Sequence, residues 1–145
     1  MTNDFEKDSL EMEYDIKRND FKRAGEASSN IKSLLKKIGI NNSTVRKVAI
    51  STYEAEMNIV IHSFGGTLKA EIDSSQIYIE AKDNGPGIKD ISLAMKEGFS
   101  TASNEVRELG FGAGMGLPNI KKCTDEFSIE SSENGTKLCM IIYIN

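Results

Sequence analysis

At 145 residues and 16.0 kDa the chain has the length of one domain, and 39% hydrophobic against 28% charged residues supplies a core and argues against wholesale disorder. A balance of 18 basic to 22 acidic side chains, net −4, opposes electrostatic capture of nucleic acid or an anionic membrane, and no apolar run approaches the roughly 20 residues that span a bilayer. The acidic start MTNDFEKDSLEMEYD is unlike a secretory or transit peptide, and Cys123 and Cys139 lack a CxxC pair and a histidine-rich ligand set, so reduced thiols and a cytoplasmic location are expected.

Residues 1–11 are polar and patternless and read as a flexible tail, leaving 12–145 as the folded domain. Met12, Tyr14 and Ile16 alternate with Glu13, Asp15 and Lys17, which predicts a short strand with one buried face, placed at a sheet edge. From Asn19 to Gly39, apolar residues at Phe21, Ala24, Ile31, Leu34, Leu35 and Ile38 predict an amphipathic helix capped by Asn19 or Asp20 and stopped by Gly39.

A second helix is predicted from Asn42 or Ser43 to Gly65-Gly66, with Val45, Val48, Ala49, Ala55 and Ile59 on one stripe. With Met57, Val60 and Ile61 added, its later turns read as buried nearly all round. Segments 67–72 and 76–82, joined by Asp73-Ser74-Ser75, read as a hairpin that Asp83-Asn84-Gly85-Pro86-Gly87 breaks. A short helix from Asp90 to Glu97, a mobile loop from Gly98 to Gly116 and a helix from Leu117 to Asp125 follow. Strands at 127–131 and 137–144 turn at Asn134-Gly135. Two long helices before paired strands, without βαβ alternation, predict an α/β two-layer sandwich: a mixed, mostly antiparallel sheet with helices on one face.

Three glycine-bearing segments invite a nucleotide reading. There is no GxxxxGK[ST], and in Gly110-Phe111-Gly112-Ala113-Gly114-Met115-Gly116-Leu117 the GxGxxG pattern fails because Met115 and Leu117 stand where the third glycine belongs. The run nonetheless enters a helix, where bare backbone N–H groups approach phosphate oxygens closely. Taken alone, these glycines read more readily as a flexible surface loop than as a phosphate site.

Glu54 and Asn58 lie four apart on the second helix and project from one face, with His62 one turn further along. An amide oxygen suits Mg²⁺ and a carboxylate suits a base, and their place inside the most apolar stretch of the chain demands a partner or a wet pocket. Asp83 ends a strand at the rim of the sheet; Gly135-Thr136 ends a hairpin.

Order and combination decide between these readings. E-x-x-x-N on a helix, D-x-G-x-G-I after a strand, a glycine-rich segment entering a helix and G-T before the last strand resemble, over residues 12–145, the GHKL (Bergerat-fold) ATPase superfamily of gyrase, heat-shock chaperone, histidine kinase and MutL. EAEMNIVIHSFGG, DNGPGIKDISLAMKEGFSTAS and FGAGMGLPNIKKCTDEFSIESSENGT are most similar to the small anti-sigma-factor serine/threonine kinases and switch kinases.

The resemblance implies ATP and Mg²⁺ as cofactors, Glu54 as general base and Asn58 as the Mg²⁺ ligand. Asp83 would accept the adenine amino group, with Gly85 and Gly87 leaving room for the base. Gly112, Gly114, Gly116 and Leu117 would close over the phosphates, and Thr136 would support Asp83. It further implies a small antagonist protein with a phosphorylatable serine or threonine, and a regulator such as a sigma factor or phosphatase; homodimerisation stays open. Arg107 stands five residues before Gly112, so its reach to a γ-phosphate is open, and His62 reads as a packing residue. The competing function is an ATP-gated adaptor that grips a partner with little phosphoryl transfer. A two-component sensor fragment is disfavoured, because no helical hairpin carries a phosphoacceptor histidine.

Overall fold

The computed structural model describes residues 9–87, 95 and 116–144. The five strands there are β1 (Leu10–Ile16), β2 (Gly66–Ile72), β3 (Gln76–Asp83), β4 (Glu126–Ser132) and β5 (Gly135–Tyr143). They form one sheet in the order β1-β2-β3-β5-β4, and each described pair is antiparallel. The helices α1 (Glu26–Lys37), α2 (Asn42–His62) and α3 (Gly116–Cys123) make the second layer. The expected two-layer α/β sandwich is therefore the observed fold. No helix among the described residues is long and apolar enough to cross a membrane.

Alternation along the strands explains the layering. On β3 the side chains of Ile77, Ile79 and Ala81 are buried, as are Leu138, Met140 and Ile142 on β5, while their sequence neighbours face outward. Ile31 and Leu35 of α1 and Val48, Ile59 and Val60 of α2 close the core from the other layer, each large side chain contributing about 1.5–3 kcal/mol by leaving water. β1 lies at the sheet edge as expected. It begins at Leu10, which pairs with Ile72, so Leu10 and Glu11 belong to the sheet and not to the tail.

The first helix is shorter than its periodicity predicts. Asn19 (φ 56°) and Gly25 (φ 93°) adopt left-handed backbone, which an α-helix cannot continue through, and residues 20–25 form turns from which Phe21 and Ala24 still reach the core. Helix α1 then starts at Glu26 without a side-chain cap of its own. Its exposed N–H groups are taken up by the neighbouring helix: Gly25 and Ala27 donate to Glu56 Oε2 at 3.0 and 3.3 Å, and Ser28 donates to Oε1 at 3.0 Å. Glu56 is 2% exposed, so an anion removed from water is held by backbone donors at the positive end of a helix.

Helix α2 begins where expected, with Asn41 as its cap accepting from the Thr44 N–H at 2.9 Å. Its later turns, residues 54–61, carry no exposed residue, as expected, while the earlier turns expose Arg46, Lys47, Ile50 and Tyr53; the hydroxyls of Ser51 and Thr52 bond back to the Lys47 and Val48 carbonyls. Asp73 Oδ1 accepts from the N–H groups of Ser75 and Gln76 and closes the β2–β3 turn. Most of the predicted 90–97 helix and of the 98–116 loop lies outside the described residues.

Replacing Glu56 by Ala strands backbone donors at the start of α1, each costing about 1–3 kcal/mol, so Glu56→Ala should lose about 3 kcal/mol of stability and Glu56→Gln, which keeps one carbonyl oxygen, about half that. Urea unfolding midpoints measure both; a wild-type midpoint for Glu56→Ala would remove this contact from the account of the fold.

Candidate active site

The sequence-predicted residues gather in two clusters joined by α2. At its C-terminal end the chain leaves the helix through Ser63, and the next segments are strapped to the end of β3: Asn84 N–H donates to the Gly65 carbonyl at 2.9 Å and Phe64 N–H to the Asn84 carbonyl at 2.8 Å. This brings Asp83 to the rim of the sheet beside the helix end. A Cβ placed on Gly85 would stand 3.1 Å from Ser63 Cα and 3.3 Å from Asp83 Oδ1, so a larger residue would press on both. Gly87 (φ 76°) and Gly135 (φ 149°) are left-handed or nearly so, and a side chain on them would run into the Ser132 and Asp83 carbonyl oxygens respectively.

Asp83 Oδ1 accepts the backbone N–H of Thr136 at 3.1 Å, one residue beyond Lys82–Lys137, the last pair of the β3–β5 register. The Thr136 hydroxyl is in turn 2.8 Å from Ser131 Oγ. Burial pushes the Asp83 carboxyl above its ordinary value, and the Thr136 N–H partly offsets this. Its second oxygen makes no hydrogen bond to any described residue.

The second cluster lies further back along α2. Asn58 and Glu54 precede Ser63 by five and nine residues, which at ~1.5 Å per residue puts them about 7 and 13 Å along the helix axis. Both are half-buried. Gly116 opens α3 directly over them: a Cβ there would be 3.3 Å from Asn58 Oδ1 and 3.7 Å from Glu54 Oε1. Asn119, one turn into α3, donates from Nδ2 to Glu54 Oε2 at 3.0 Å. The Asn58 amide makes no hydrogen bond within the described residues.

Glu54, Asn58 and Gly116 are thus together, as are Asp83, Gly85, Gly87 and Thr136. Leu117 is 7% exposed and packs into the core, so its side chain anchors α3. Gly112, Gly114 and Arg107 lie outside the described residues, and His62 sits on the exposed side of the last turn of α2. Sequence reasoning did not single out Asn119, Ser63 or Glu56. The one available signal for Asn119 was a lone amide between Pro118 and Ile120, directly after the glycine run.

No group of three or more His, Cys, Asp or Glu side chains among the described residues could hold a metal by itself. Asn58 offers an amide oxygen, a ligand type that a hard cation such as Mg²⁺ accepts, but one such group would need further oxygen ligands from a bound molecule.

A family model described as histidine kinase-like ATPase domain matches residues 18–142. The chain is 30% identical over 118 residues to the serine/threonine-protein kinase RsbT of Bacillus subtilis (strain 168), covering 78% of this chain and 83% of that one. It is 38% identical over 104 residues to the anti-sigma F factor of Thermoanaerobacter sp. (strain X514), covering 68% of each. Among solved structures, the RsbU and RsbW domains of Rv1364c from Mycobacterium tuberculosis share its fold with a TM-score of 0.61 and 15% identity, over 94% of this chain and 32% of that chain. The SiaB–SiaC complex from Pseudomonas aeruginosa does so with a TM-score of 0.63 and 14% identity, over 98% and 95%.

The raised Asp83 pKa fixes a sign. The folded chain holds this proton more tightly than the unfolded chain, so Asp83 ionisation removes stability as pH rises from its ordinary value near 3.8 through the higher folded value. Asp83→Asn, which keeps an oxygen for the Thr136 N–H, should gain on the wild type across that window; urea unfolding of both from acid to neutral pH measures the difference, and a gap that narrows as pH rises would reverse the assignment.

Proposed function

The chain belongs to the histidine kinase-like ATPase domain family, and from that premise we propose that it is an ATP-dependent protein serine/threonine kinase of the anti-sigma type, acting in the cytoplasm on a small antagonist protein in trans and thereby controlling a bound regulator. The observation that carries the reading is the shared stripe of α2, where a half-buried carboxylate and an amide without a partner among the described residues lie beneath Gly116, on a helix whose C-terminal end meets Asp83. The kinase and anti-sigma names of the two relatives, and a fold neighbour solved as a two-protein complex, support it.

In this mechanism Asp83 accepts a hydrogen bond from the adenine amino group, with Gly85 keeping side chains out of the space beside it. Asn58 would hold Mg²⁺ through its amide oxygen, and the ion would neutralise charge on the phosphates. Glu54 takes the proton of the acceptor hydroxyl as its oxygen forms a bond to the γ-phosphorus and the bond to the β,γ-bridging oxygen breaks, leaving ADP. The described groups at the site, Glu54, Asn58, Asp83 and Asn119, are acidic or neutral, so a polyphosphate needs a cation to enter among them.

Three outcomes follow from these roles. Asp83→Asn can present an NH₂ to the adenine amino group where the carboxylate only accepts, and should weaken ATP and ADP by about 1–3 kcal/mol in calorimetry; unchanged affinity in the folded variant would end the adenine assignment. Chelating Mg²⁺ with EDTA should lower ATP affinity by about tenfold or more while sparing adenosine, since only the phosphates need the cation; equal loss for both would place the metal elsewhere. With γ-labelled ATP, a partner captured from native lysate should take up acid-stable label that Glu54→Ala reduces by about 10²- to 10⁴-fold without losing ATP. Acid-labile label on His62 would contradict the kinase reading, and ATP-dependent capture without any label would identify an ATP-gated adaptor.

A further inference from the structure

The contact between Glu54 and α3 assigns a role to a residue outside the motifs. Asn119 donates from Nδ2 to Glu54 Oε2 at 3.0 Å, across the boundary between two helices, the two residues standing 65 apart in sequence. Its place is set by the core: Ile120 beside it is fully buried and Leu117 nearly so, so α3 cannot rotate the amide away without lifting both side chains into water. With Oε2 engaged, Oε1 is the Glu54 oxygen nearest Gly116, on the side where Asn58 Oδ1 also lies.

We propose that Asn119 is the positioning residue of this site, its amide holding the Glu54 carboxylate with Oε1 turned toward Asn58 and the start of α3. The proposal rests on the reading of Glu54 as general base. A glutamate carries three side-chain torsions, and a base works only within hydrogen-bond reach of the proton it takes, so one oxygen must be tied for the other to be placed. The chemistry of the tie matters as much as its position. A lysine or arginine there would pair with the carboxylate and blunt it as a base, and a second carboxylate would repel it. A carboxamide donates a hydrogen bond, carries no charge and has no proton to surrender near neutral pH. The amide therefore orients the base without neutralising it, and it ties the base to the helix that follows directly on the glycine run.

Two measurements on the full chain test this. In NMR, the Asn119 side-chain amide should change its shifts and lose protection from exchange in Glu54→Ala; an unchanged amide would overturn the proposal whatever the chain catalyses. In the labelling assay with the captured partner, Asn119→Leu should lower the rate at saturating ATP by about 10- to 100-fold, the cost of a base displaced by ~1 Å, with KM for ATP within about twofold of wild type. Asn119→Gln, retaining a donor, should recover part of the rate, and Asn119→Leu should add no further loss to Glu54→Ala. A changed KM with unchanged kcat, or losses that multiply in the double variant, would show that Asn119 acts elsewhere. Should the wild type label nothing, the kinase reading falls, and the amide signal by itself decides whether Asn119 holds Glu54.

Discussion

A helix packed against α1, α3 and four strands of the sheet cannot carry a polar side chain without giving it a partner, and α2 carries several. Four of them find one according to the direction they face, and Asn58 is left without one among the described residues. Ser51 and Thr52 bond to carbonyls of their own helix, Glu56 takes the open N–H groups of α1, and Glu54 meets Asn119 of α3. Glu54 and Glu56 are two residues apart, which at ~100° per residue turns them to nearly opposite sides of the helix. One carboxylate is spent on structure and the other is left at the site. The same helix thereby joins the two layers and aligns the chemistry.

The rim around Asp83 depends on a second constraint, close backbone approach. The β3–β5 register ends at Lys82–Lys137, so Thr136 follows beside Asp83 and its N–H holds one carboxylate oxygen, while the other has no partner among the described residues. Gly135 and Gly85 permit this because any side chain on them would occupy space held by the Asp83 carbonyl, its carboxylate oxygen or Ser63. Removing Asp83 from water raises its pKa, so the group that would read adenine is kept at some expense of stability. In the proposed role, a bound amino group would return part of that expense as a hydrogen bond and so couple folding of the rim to its ligand.

Asn58 and Asn119 illustrate how neutral amides serve an acidic site. Asn58 has an oxygen to offer a cation and no described partner, whereas Asn119 has a donor and spends it on Glu54. Had either been charged, its interaction with Glu54, and with the phosphates and metal of the proposed function, would shift, since charges a few ångströms apart at a half-buried site interact by several kcal/mol.

Much of this was legible in the residues. Alternation at Met12, Tyr14 and Ile16, the stripe from Val45 to Ile59, and the turns at Asp73 and Asn134-Gly135 state their periods locally, so strand, helix and hairpins followed from pattern. The spacing of Glu54 and Asn58 places both on one helical face for the same reason. The start of α1 was not legible, because helical spacing at Phe21 and Ala24 continues through residues whose backbone turns left-handed at Asn19 and Gly25, and the cap that begins the helix comes from Glu56, on another element. Asn119 was hidden likewise: nothing near it in sequence marks its partner, 65 residues away. Sequence by itself determined what repeats along the chain, namely the elements, their buried faces and the order of the motifs. Tertiary structure alone decided which buried polar group meets which, because that choice depends on burial and on distances across elements, and neither has a local period.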